Sequence, residues 1–268
     1  MAIPFKAALA LPAVGYPLLL SWQRGWIRPP HGISDVRLGG GRTLRCDLGD
    51  STQRTMALGL FEPAETRLAE RLLRPGDTFV DVGAHIGWFT VAASRWVGSN
   101  GTVVACEPYP ANAAALKENL AINNATNVRL VEMALGSQPG ELSLAPTGGS
   151  GGISALVWGE GERVKASVTT LDEVAADLPN INLLKIDVEG WEPHVLRGGS
   201  SALRRTKHVL FEVNKPALNK AGSSAEELYE LLRDAGFTIF SPVVPRGLRR
   251  LVPNDQLFNI LARRKGAA

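Results

Sequence analysis

Cysteine is scarce in this sequence, which has only Cys46 and Cys106 among its 268 residues and no CxxC pair. The sequence therefore excludes a disulfide framework and a cysteine-rich zinc site, because both need more cysteines at characteristic spacings. A chain with so little cysteine is expected to work in a reducing, cytoplasmic compartment.

A long apolar run is also missing. The uncharged stretch at residues 7–23 is shorter than the ~20 apolar residues that a membrane-spanning helix needs, and Pro12, Gly15 and Pro17 interrupt it. No small-residue cleavage site follows it, so a cleaved signal peptide is not predicted. We expect residues 1–56, this arm and a small hairpin, to act as a lid or packing element, and peripheral membrane contact of the arm stays open.

Basic charge is concentrated at the two ends of the chain. Residues 1–30 carry +3 and residues 246–265 carry +5, so the net charge of +3 leaves −5 for residues 31–245. Nucleic-acid binding needs a basic face on the folded domain, and this distribution does not indicate one. We therefore do not expect nucleic acid as a partner.

Strands and helices alternate along most of the chain. Three strand–helix units contain TFVDVG, GTVVACE and NVRLVEM, and four later strands contain INLLKI, HVLFEVN, FTIFSPV and LFNILARR. This alternation predicts an α/β fold with a mostly parallel seven-stranded sheet, helices on both faces and an antiparallel edge strand formed by the final close pair. Residues 57–268 would form this domain, with a glycine-rich insertion around residues 140–170.

The stretch FVDVGAHIGWFT, residues 79–90, has the order of a cofactor-binding turn: a strand, a glycine turn and a helix. Gly83 and Gly87 are spaced as GxxxG, and His85 stands where the dinucleotide fingerprint GxGxxG has its second glycine. The lysine of a phosphate-binding P-loop is missing as well. NAD and ATP are therefore disfavoured.

Two carboxylates indicate a different cofactor. Asp81 lies two residues before the first glycine, where an acid suits a cationic ligand better than a pyrophosphate. Glu107 ends the second strand, where a carboxylate can accept hydrogen bonds from both ribose hydroxyls. S-Adenosylmethionine, which carries an ammonium and a sulfonium, fits both positions.

Three segments together resemble the FkbM family of S-adenosylmethionine-dependent methyltransferases: GLFEPAETRLAERLLRPGDTFVDVGAHIGWFTVAASR, VVACEPYPANAAALKENLAIN and LLKIDVEGWEPHVLRGG. The resemblance covers roughly residues 57–215, and DVGAxxG followed by KIDVEGxE is its specific combination. It implies a Rossmann-like class I methyltransferase fold and methylation of a hydroxyl on a polyketide, sugar or other small metabolite. The cofactor-binding residues expected from the motif and the resemblance are Glu62, Asp81, Gly83, Ala84, His85, Gly87, Glu107 and Ala134.

The fourth strand, INLLKIDVEG, predicts the catalytic side of the site. Lys185, Asp187 and Glu189 alternate with apolar residues, and they lie near the carboxyl end of a strand where ligands collect in such sheets. We predict Asp187 as the base or as the group that orients the acceptor hydroxyl, with His85 as the rival base. Lys185, Glu189 and Glu212 are predicted to bind substrate, although a purely structural pair of Lys185 with a carboxylate is the alternative.

Several alternatives stay open at this level. Asp187, Glu189 and Glu212 would be the ligands if a divalent ion such as Mg²⁺ were present, but their spacing does not demand a metal. The acceptor would be a small molecule or glycan, with a lipid or protein acceptor as the second choice. An NAD-dependent oxidoreductase and a non-catalytic binding module are the competing classes of protein.

Overall fold

The structure, a computed structural model, describes residues 30–146, 155–156, 163–240 and 257–266, together with residues 17, 21 and 28. Its strands are β1 (Ile33–Arg37), β2 (Thr43–Asp47), β3 (Thr78–Val82), β4 (Thr102–Cys106), β5 (Val128–Val131), β6 (Ala134–Leu135), β7 (Gly140–Pro146), β8 (Ala155–Leu156), β9 (Val164–Thr169), β10 (Ile181–Ile186), β11 (Thr206–Asn214), β12 (Phe237–Ile239) and β13 (Leu257–Arg264).

The helices between these strands are mostly short. They are α1 (Ser51–Ala57), α2 (Pro63–Leu72), α3 (Trp88–Val97), α4 (Pro110–Ile122), α5 (Leu171–Val174), α6 (Glu192–Arg197), α7 (Ser200–Arg204), α8 (Lys215–Lys220) and α9 (Ala225–Asp234). Helices α1 and α8 were not predicted. Each begins at a side-chain cap, since Asp50 accepts from the backbone N–H of Gln53 and Asn214 accepts from that of Ala217.

A seven-stranded sheet forms the centre of the fold, in the order β12-β13-β11-β10-β3-β4-β5. The five strands from β11 to β5 pair in parallel, whereas β13 is antiparallel to both of its neighbours. The predicted α/β class and the antiparallel arrangement at one edge are confirmed. The final strand does not itself form the edge, because it inserts between β11 and β12.

The central strands owe their position to apolar runs that are buried on both faces, as parallel strands require. Every residue of β3 and of β10 is buried. One hydrophobic cluster, which includes Val80, Leu184 and Phe211, lies on one side of the sheet, and a second, which includes Phe79, Phe89 and Leu183, lies on the other. The carboxyl ends of β3, β4 and β10 consequently meet at one edge of a rigid layer.

The segment predicted as a glycine-rich insertion contributes a second, four-stranded sheet in the order β6-β9-β7-β8. Strands β7 and β9 pair antiparallel from Gly140–Val168 to Leu144–Val164, so both ends of the insertion form strands. The glycine run at residues 147–152 lies outside the described residues. This sheet brings Leu142 and Leu144 to the cavity described below.

The N-terminal hairpin, β1 and β2, packs on α4. Asn123 and Asn119 each accept from and donate to the β2 backbone, Asn123 at Thr43 and Asn119 at Arg45. Asn119 also donates to the carbonyl of Ile86, in the turn after β3. The hairpin is thereby tied to the predicted cofactor turn.

The N-terminal arm before the hairpin lies almost entirely outside the described residues, so its role as a lid, a packing element or a membrane contact stays a prediction. The division at residue 56 also stays a prediction. Among the helices that the structure describes, none has the length and the apolar character that a membrane span requires.

Candidate active site

A cavity opens at the carboxyl ends of the central strands and collects the predicted site residues from distant parts of the chain. Its walls include Glu62, Asp81, Gly83, Ala84, His85, Glu107, Ala134, Lys185, Asp187, Glu189 and Glu212. Gly87 is the one predicted site residue that is not part of these walls. Ligands of open α/β sheets bind at this position, so the predicted residues converge where a site is expected.

Gly83 and Gly87, in the turn after β3, have different structural roles. Gly83 has φ +86, and a Cβ there would overlap the carbonyl oxygen of Asp187. Gly87 has φ +96 and caps α3, and a Cβ there would lie 2.5 Å from Leu116. Gly83 thus permits close contact between the segments that follow β3 and β10. Gly87 permits the turn to pack against α4.

Asp81 is buried at the end of β3, with 1% of its surface exposed. Its Oδ2 accepts from the hydroxyl of Thr90 at 2.6 Å. Its Oδ1 is buried without a hydrogen-bond partner among the described residues. Burial raises the pKa of Asp81, and the nearby Lys185 opposes that rise. A cation in the cavity would satisfy this oxygen, because an unpaired buried carboxylate oxygen is costly.

Glu107 is held much more completely. Its Oε1 accepts from the backbone N–H of Tyr109 at 2.9 Å, and its Oε2 accepts from that of His85 at 2.8 Å. Burial raises the pKa of Glu107 to about 7, although these two backbone bonds lower it. Its Oε1 also accepts a long bond of 3.5 Å from the side chain of Asn112, whereas its Oε2 keeps a second lone pair for a ligand hydroxyl.

His85 lies in the turn with a left-handed backbone, at φ +51. Its Nε2 is buried and has no hydrogen-bond partner among the described residues. Burial lowers the pKa of His85 to about 4, Asp187 raises it, and Lys185 lowers it further. The imidazole is therefore neutral at physiological pH, and its conjugate acid is much stronger than that of an ordinary histidine.

Lys185 and Asp187 form an ion pair at the end of β10, with 2.8 Å between Nζ and Oδ2. The ammonium also lies 4.7 Å from the centre of the Phe89 ring. Burial lowers the pKa of Lys185, but the carboxylates of Asp187, Glu62 and Asp81 together with its hydrogen bond to Asp187 raise it by more, so the lysine stays charged. The structural pair left open by the sequence is thus present, and it fixes Asp187 inside the cavity.

Three more carboxylates surround this pair. Strand β10 ends at Ile186, and Glu189 takes a left-handed backbone at φ +55, so strand alternation does not explain its position. Its Oε2 accepts from the side chain of Asn214 at 2.9 Å. Glu62 and Glu212 each keep a buried Oε2 without a hydrogen-bond partner among the described residues.

Comparison with known proteins decides the family. The family model of the methyltransferase FkbM domain matches residues 81–239. The 31-O-demethyl-FK506 methyltransferase FkbM of Streptomyces tacrolimicus is 31% identical over 227 residues, which cover 72% of this chain and 82% of that protein. The chain belongs to the FkbM methyltransferase family.

Two other relatives are named as methyltransferases, and one solved structure has a similar fold. The hexuronic acid methyltransferase AglP of Haloferax volcanii is 29% identical over 59% of this chain and 62% of its own length. Methyltransferase 1 of Beauveria bassiana is 31% identical over 46% of this chain and 59% of its own length. A crystal structure of an rRNA methylase from Clostridium thermocellum covers 75% of this chain and 95% of its own at a TM-score of 0.50 and 11% identity, which supports the fold alone.

S-Adenosylmethionine is the methyl donor of FkbM-type enzymes, and the residues at the β3 and β4 ends fit it. The unpartnered oxygen of Asp81 suits an ammonium or sulfonium, and Glu107 suits a ribose hydroxyl. Ala84 and Ala134 add small side chains to the cavity wall. When bound, the cofactor supplies a methyl group on a positively charged sulfur.

Sequence reasoning missed part of this FkbM-type site. Thr90, which bonds Asp81, lies three residues after Gly87 on α3, so helix periodicity was the available signal. Asn214 and Trp191 gave no local signal, because their positions beside Glu189 and in the cavity wall depend on how β10 and β11 are followed by helices. Leu142 and Leu144 lie in the insertion, whose fold against the cavity is a tertiary property.

Proposed function

We propose that this chain transfers the methyl group of S-adenosylmethionine to a hydroxyl oxygen of a small polar acceptor, of the sugar or polyketide type. The observation that supports this most is the fixed position of Asp187, which Lys185 holds in the same cavity as Asp81 and Glu107. One cavity therefore combines residues that fit the methyl donor with a carboxylate that suits a hydroxyl.

The reaction is a displacement in which the bond between carbon and sulfur breaks as the bond between carbon and oxygen forms. The sulfur keeps the electron pair and becomes a neutral thioether, and the acceptor hydroxyl loses its proton. Lys185 donates to Oδ2 of Asp187. Asp187 therefore accepts this proton, or orients the hydroxyl that carries it, through its Oδ1. Alignment of the acceptor oxygen with the methyl carbon provides much of the acceleration in such a step.

His85 is the second candidate for the proton acceptor. Its neutral Nε2 has no partner among the described residues, so it has the lone pair that a base requires. With a pKa of about 4, however, it is a much weaker base than an ordinary histidine, and no ion pair fixes its position as Lys185 fixes that of Asp187. We assign the main role to Asp187 and a hydrogen-bonding role to His85.

The acceptor class has support from the relatives and from the cavity wall. The Streptomyces relative is named for 31-O-demethyl-FK506, and the Haloferax relative is named for hexuronic acid. Both names describe oxygen-rich molecules. A wall with Glu62, Glu189 and Glu212 offers acceptors to several hydroxyl groups at once, as sugar binding requires.

The test is Asp187→Asn, assayed with ¹³C-methyl S-adenosylmethionine and a panel of hydroxylated polyketides, free hexuronic acids and hexuronic-acid glycans. We expect kcat to fall by roughly 10²- to 10⁴-fold, with the affinity for S-adenosylhomocysteine within about threefold of wild type, because Asp187 acts on the acceptor side. The label in the wild-type product should appear as a methyl ether by mass spectrometry.

The matched control is Asp177→Asn, an exposed aspartate that also pairs with a basic side chain, Arg129 at 3.0 Å. It should leave both measurements unchanged. Turnover near wild type in Asp187→Asn would remove this residue from the mechanism. Labelled product with the methyl group on nitrogen or carbon would refute hydroxyl methylation.

A further inference from the structure

Three carboxylates on the β10 and β11 side of the cavity lie close enough to share one ligand. Asp187, Glu189 and Glu212 each have an oxygen within 4.8 Å of an oxygen of the other two. Like charges at this separation repel one another, and burial makes the repulsion stronger. A bound cation would relieve this repulsion.

Two of these carboxylates are held from behind by a hydrogen bond to one of their oxygens. Lys185 donates to Oδ2 of Asp187, and Asn214 donates to Oε2 of Glu189. Such support orients carboxylates that bind metal ions. Oε2 of Glu212 has no partner among the described residues.

Glu62 provides an independent indication that the cluster lacks a ligand. It reaches the cavity from the start of α2, far from the other three in sequence, and its Oε2 is buried without a partner among the described residues. It lies near enough to raise the pKa of Glu212 by charge repulsion. Its backbone is left-handed, at φ +40, a costly conformation that such residues keep at functional sites.

The charge count of the cavity wall points the same way. The described wall contains six carboxylates, namely Glu62, Asp81, Glu107, Asp187, Glu189 and Glu212, against the single ammonium of Lys185. Asp81 lies beside Lys185 on the neighbouring strand, and its unpartnered oxygen fits the positive groups of S-adenosylmethionine. Lys185 pairs with Asp187 and lies near Glu62 and Asp81, so one ammonium is shared by several carboxylates.

We propose that Asp187, Glu189 and Glu212 bind one divalent cation of the Mg²⁺ or Mn²⁺ class. Glu62 would be a further ligand or would accept a hydrogen bond from a metal-bound water. All of these donors are carboxylate oxygens, which hard cations prefer. Mg²⁺ takes about six oxygen ligands, so three protein oxygens leave about three positions for water or for the acceptor.

The consequence for the acceptor rests on the function proposed above. A cation with open positions would hold two neighbouring oxygens of the acceptor, such as a hydroxyl beside a second hydroxyl, a carbonyl or a carboxylate. It would also lower the pKa of the bound hydroxyl, whose proton then leaves more easily to water, and Asp187 would orient that hydroxyl as a ligand of the same cation. Acceptors with vicinal oxygens are therefore the expected substrate class.

The test is a titration of the full chain, freed of metals with a chelator, with MnCl₂ alone. Free Mn²⁺ is measured by electron paramagnetic resonance. We expect one site per chain with a Kd tighter than about 1 mM, and Mg²⁺ should compete for it. Glu189→Gln and Glu212→Gln should each weaken Mn²⁺ binding at least tenfold, because each removes a charged ligand from the cluster.

The matched control is Glu132→Gln, an exposed glutamate paired with Lys117, which should bind Mn²⁺ as wild type does. Both test variants relieve repulsion without changing side-chain size, and circular dichroism will confirm that they fold. If wild type bound no Mn²⁺ at concentrations up to about 5 mM, the proposal would be overturned. Unchanged Mn²⁺ binding in both variants would also overturn it. The titration contains no cofactor or acceptor, so its failure is distinct from a failure of hydroxyl methylation.

Discussion

Glu107 and Glu212 belong to the same cavity, yet the protein treats their carboxylates in opposite ways. Both oxygens of Glu107 accept from backbone N–H groups, which anchor it between the turn after β3 and the start of α4. Glu212 keeps a buried oxygen without a partner among the described residues, and its neighbours are other carboxylates. The carboxylate of Glu107 is satisfied by the fold, whereas that of Glu212 is left for a ligand to satisfy.

The difference indicates how binding and chemistry are divided between the two sides. Fixed backbone donors around Glu107 preorganise a site for a ligand that is always the same. The uncompensated acids around Asp187 store unfavourable electrostatic energy, which an acceptor or a cation would relieve on binding. Variation in acceptor among family members would then change the second side and leave the first intact.

Substitution of Gly83, where the two sides meet, should have the largest effect. Gly83→Ala places a methyl group on the Asp187 carbonyl oxygen as well as straining a backbone at φ +86. We expect the free energy of unfolding to fall by more than about 3 kcal/mol. Thermal unfolding followed by circular dichroism measures it.

Gly76→Ala is the matched control, because Gly76 has φ +88 and nothing within 4 Å of the added methyl group. It should cost only about 1–2 kcal/mol, the strain of the left-handed backbone alone. Equal losses in the two variants would show that the contact between Gly83 and Asp187 does not constrain the site.

On the cofactor side, Glu107→Gln should weaken binding of S-adenosylhomocysteine by roughly 10- to 100-fold, as expected for loss of a charged hydrogen-bond acceptor. The amide nitrogen would also face one of two backbone N–H groups and leave it unpaired. Isothermal titration calorimetry gives the affinity, with Glu132→Gln as the control. An affinity within twofold of wild type would contradict the assignment of Glu107 to the ribose.

The same carboxylate predicts a pH dependence of cofactor affinity. Burial raises the pKa of Glu107 to about 7 in the free protein, and ribose hydroxyls favour its charged form, so binding lowers the pKa. Affinity for S-adenosylhomocysteine should therefore rise between pH 6 and pH 8, by up to about tenfold if the pKa falls by one unit. The rise should be absent in Glu107→Gln, and a wild type with flat affinity would count against it.

The smallest expected effect is a gain in stability on the acceptor side. Burial and neighbouring carboxylates raise the pKa of Glu212, so its charged form is disfavoured in the folded protein. Glu212→Gln should increase Tm at pH 8 by about 2–4 °C, whereas Glu107→Gln should decrease it. A decrease in both variants would show that the two sides of the cavity do not differ as described.

Local signals in the sequence were enough for the cofactor side. The strand, the two glycines and Asp81 lie within nine residues, from Phe79 to Gly87, and Glu107 ends the next strand of the alternating pattern. The parallel sheet then brings these ends together without further information. The predicted seven strands follow from the same alternation.

Long-range pairing limited the prediction elsewhere. The insertion of β13 between β11 and β12 depends on backbone pairing that no local pattern encodes. Glu189 was predicted from strand alternation. Its position depends instead on its left-handed backbone and on its hydrogen bond to Asn214, which the two-residue period of a strand does not predict. Leu142 and Leu144 of the insertion line the cavity because of long-range strand pairing, which the local sequence does not predict.

The asparagine contacts of the N-terminal hairpin have a consequence for biosynthesis. The bonds from the backbone of Thr43 and Arg45 to α4 span 80 and 74 residues. At a translation rate of about 5–20 residues per second, the hairpin waits roughly 4–15 s on the ribosome before α4 exists. During that interval Leu44 and Cys46, which are completely buried in the finished fold, have no helix to cover them. The hairpin should therefore expose this apolar surface to chaperones until α4 has been synthesised.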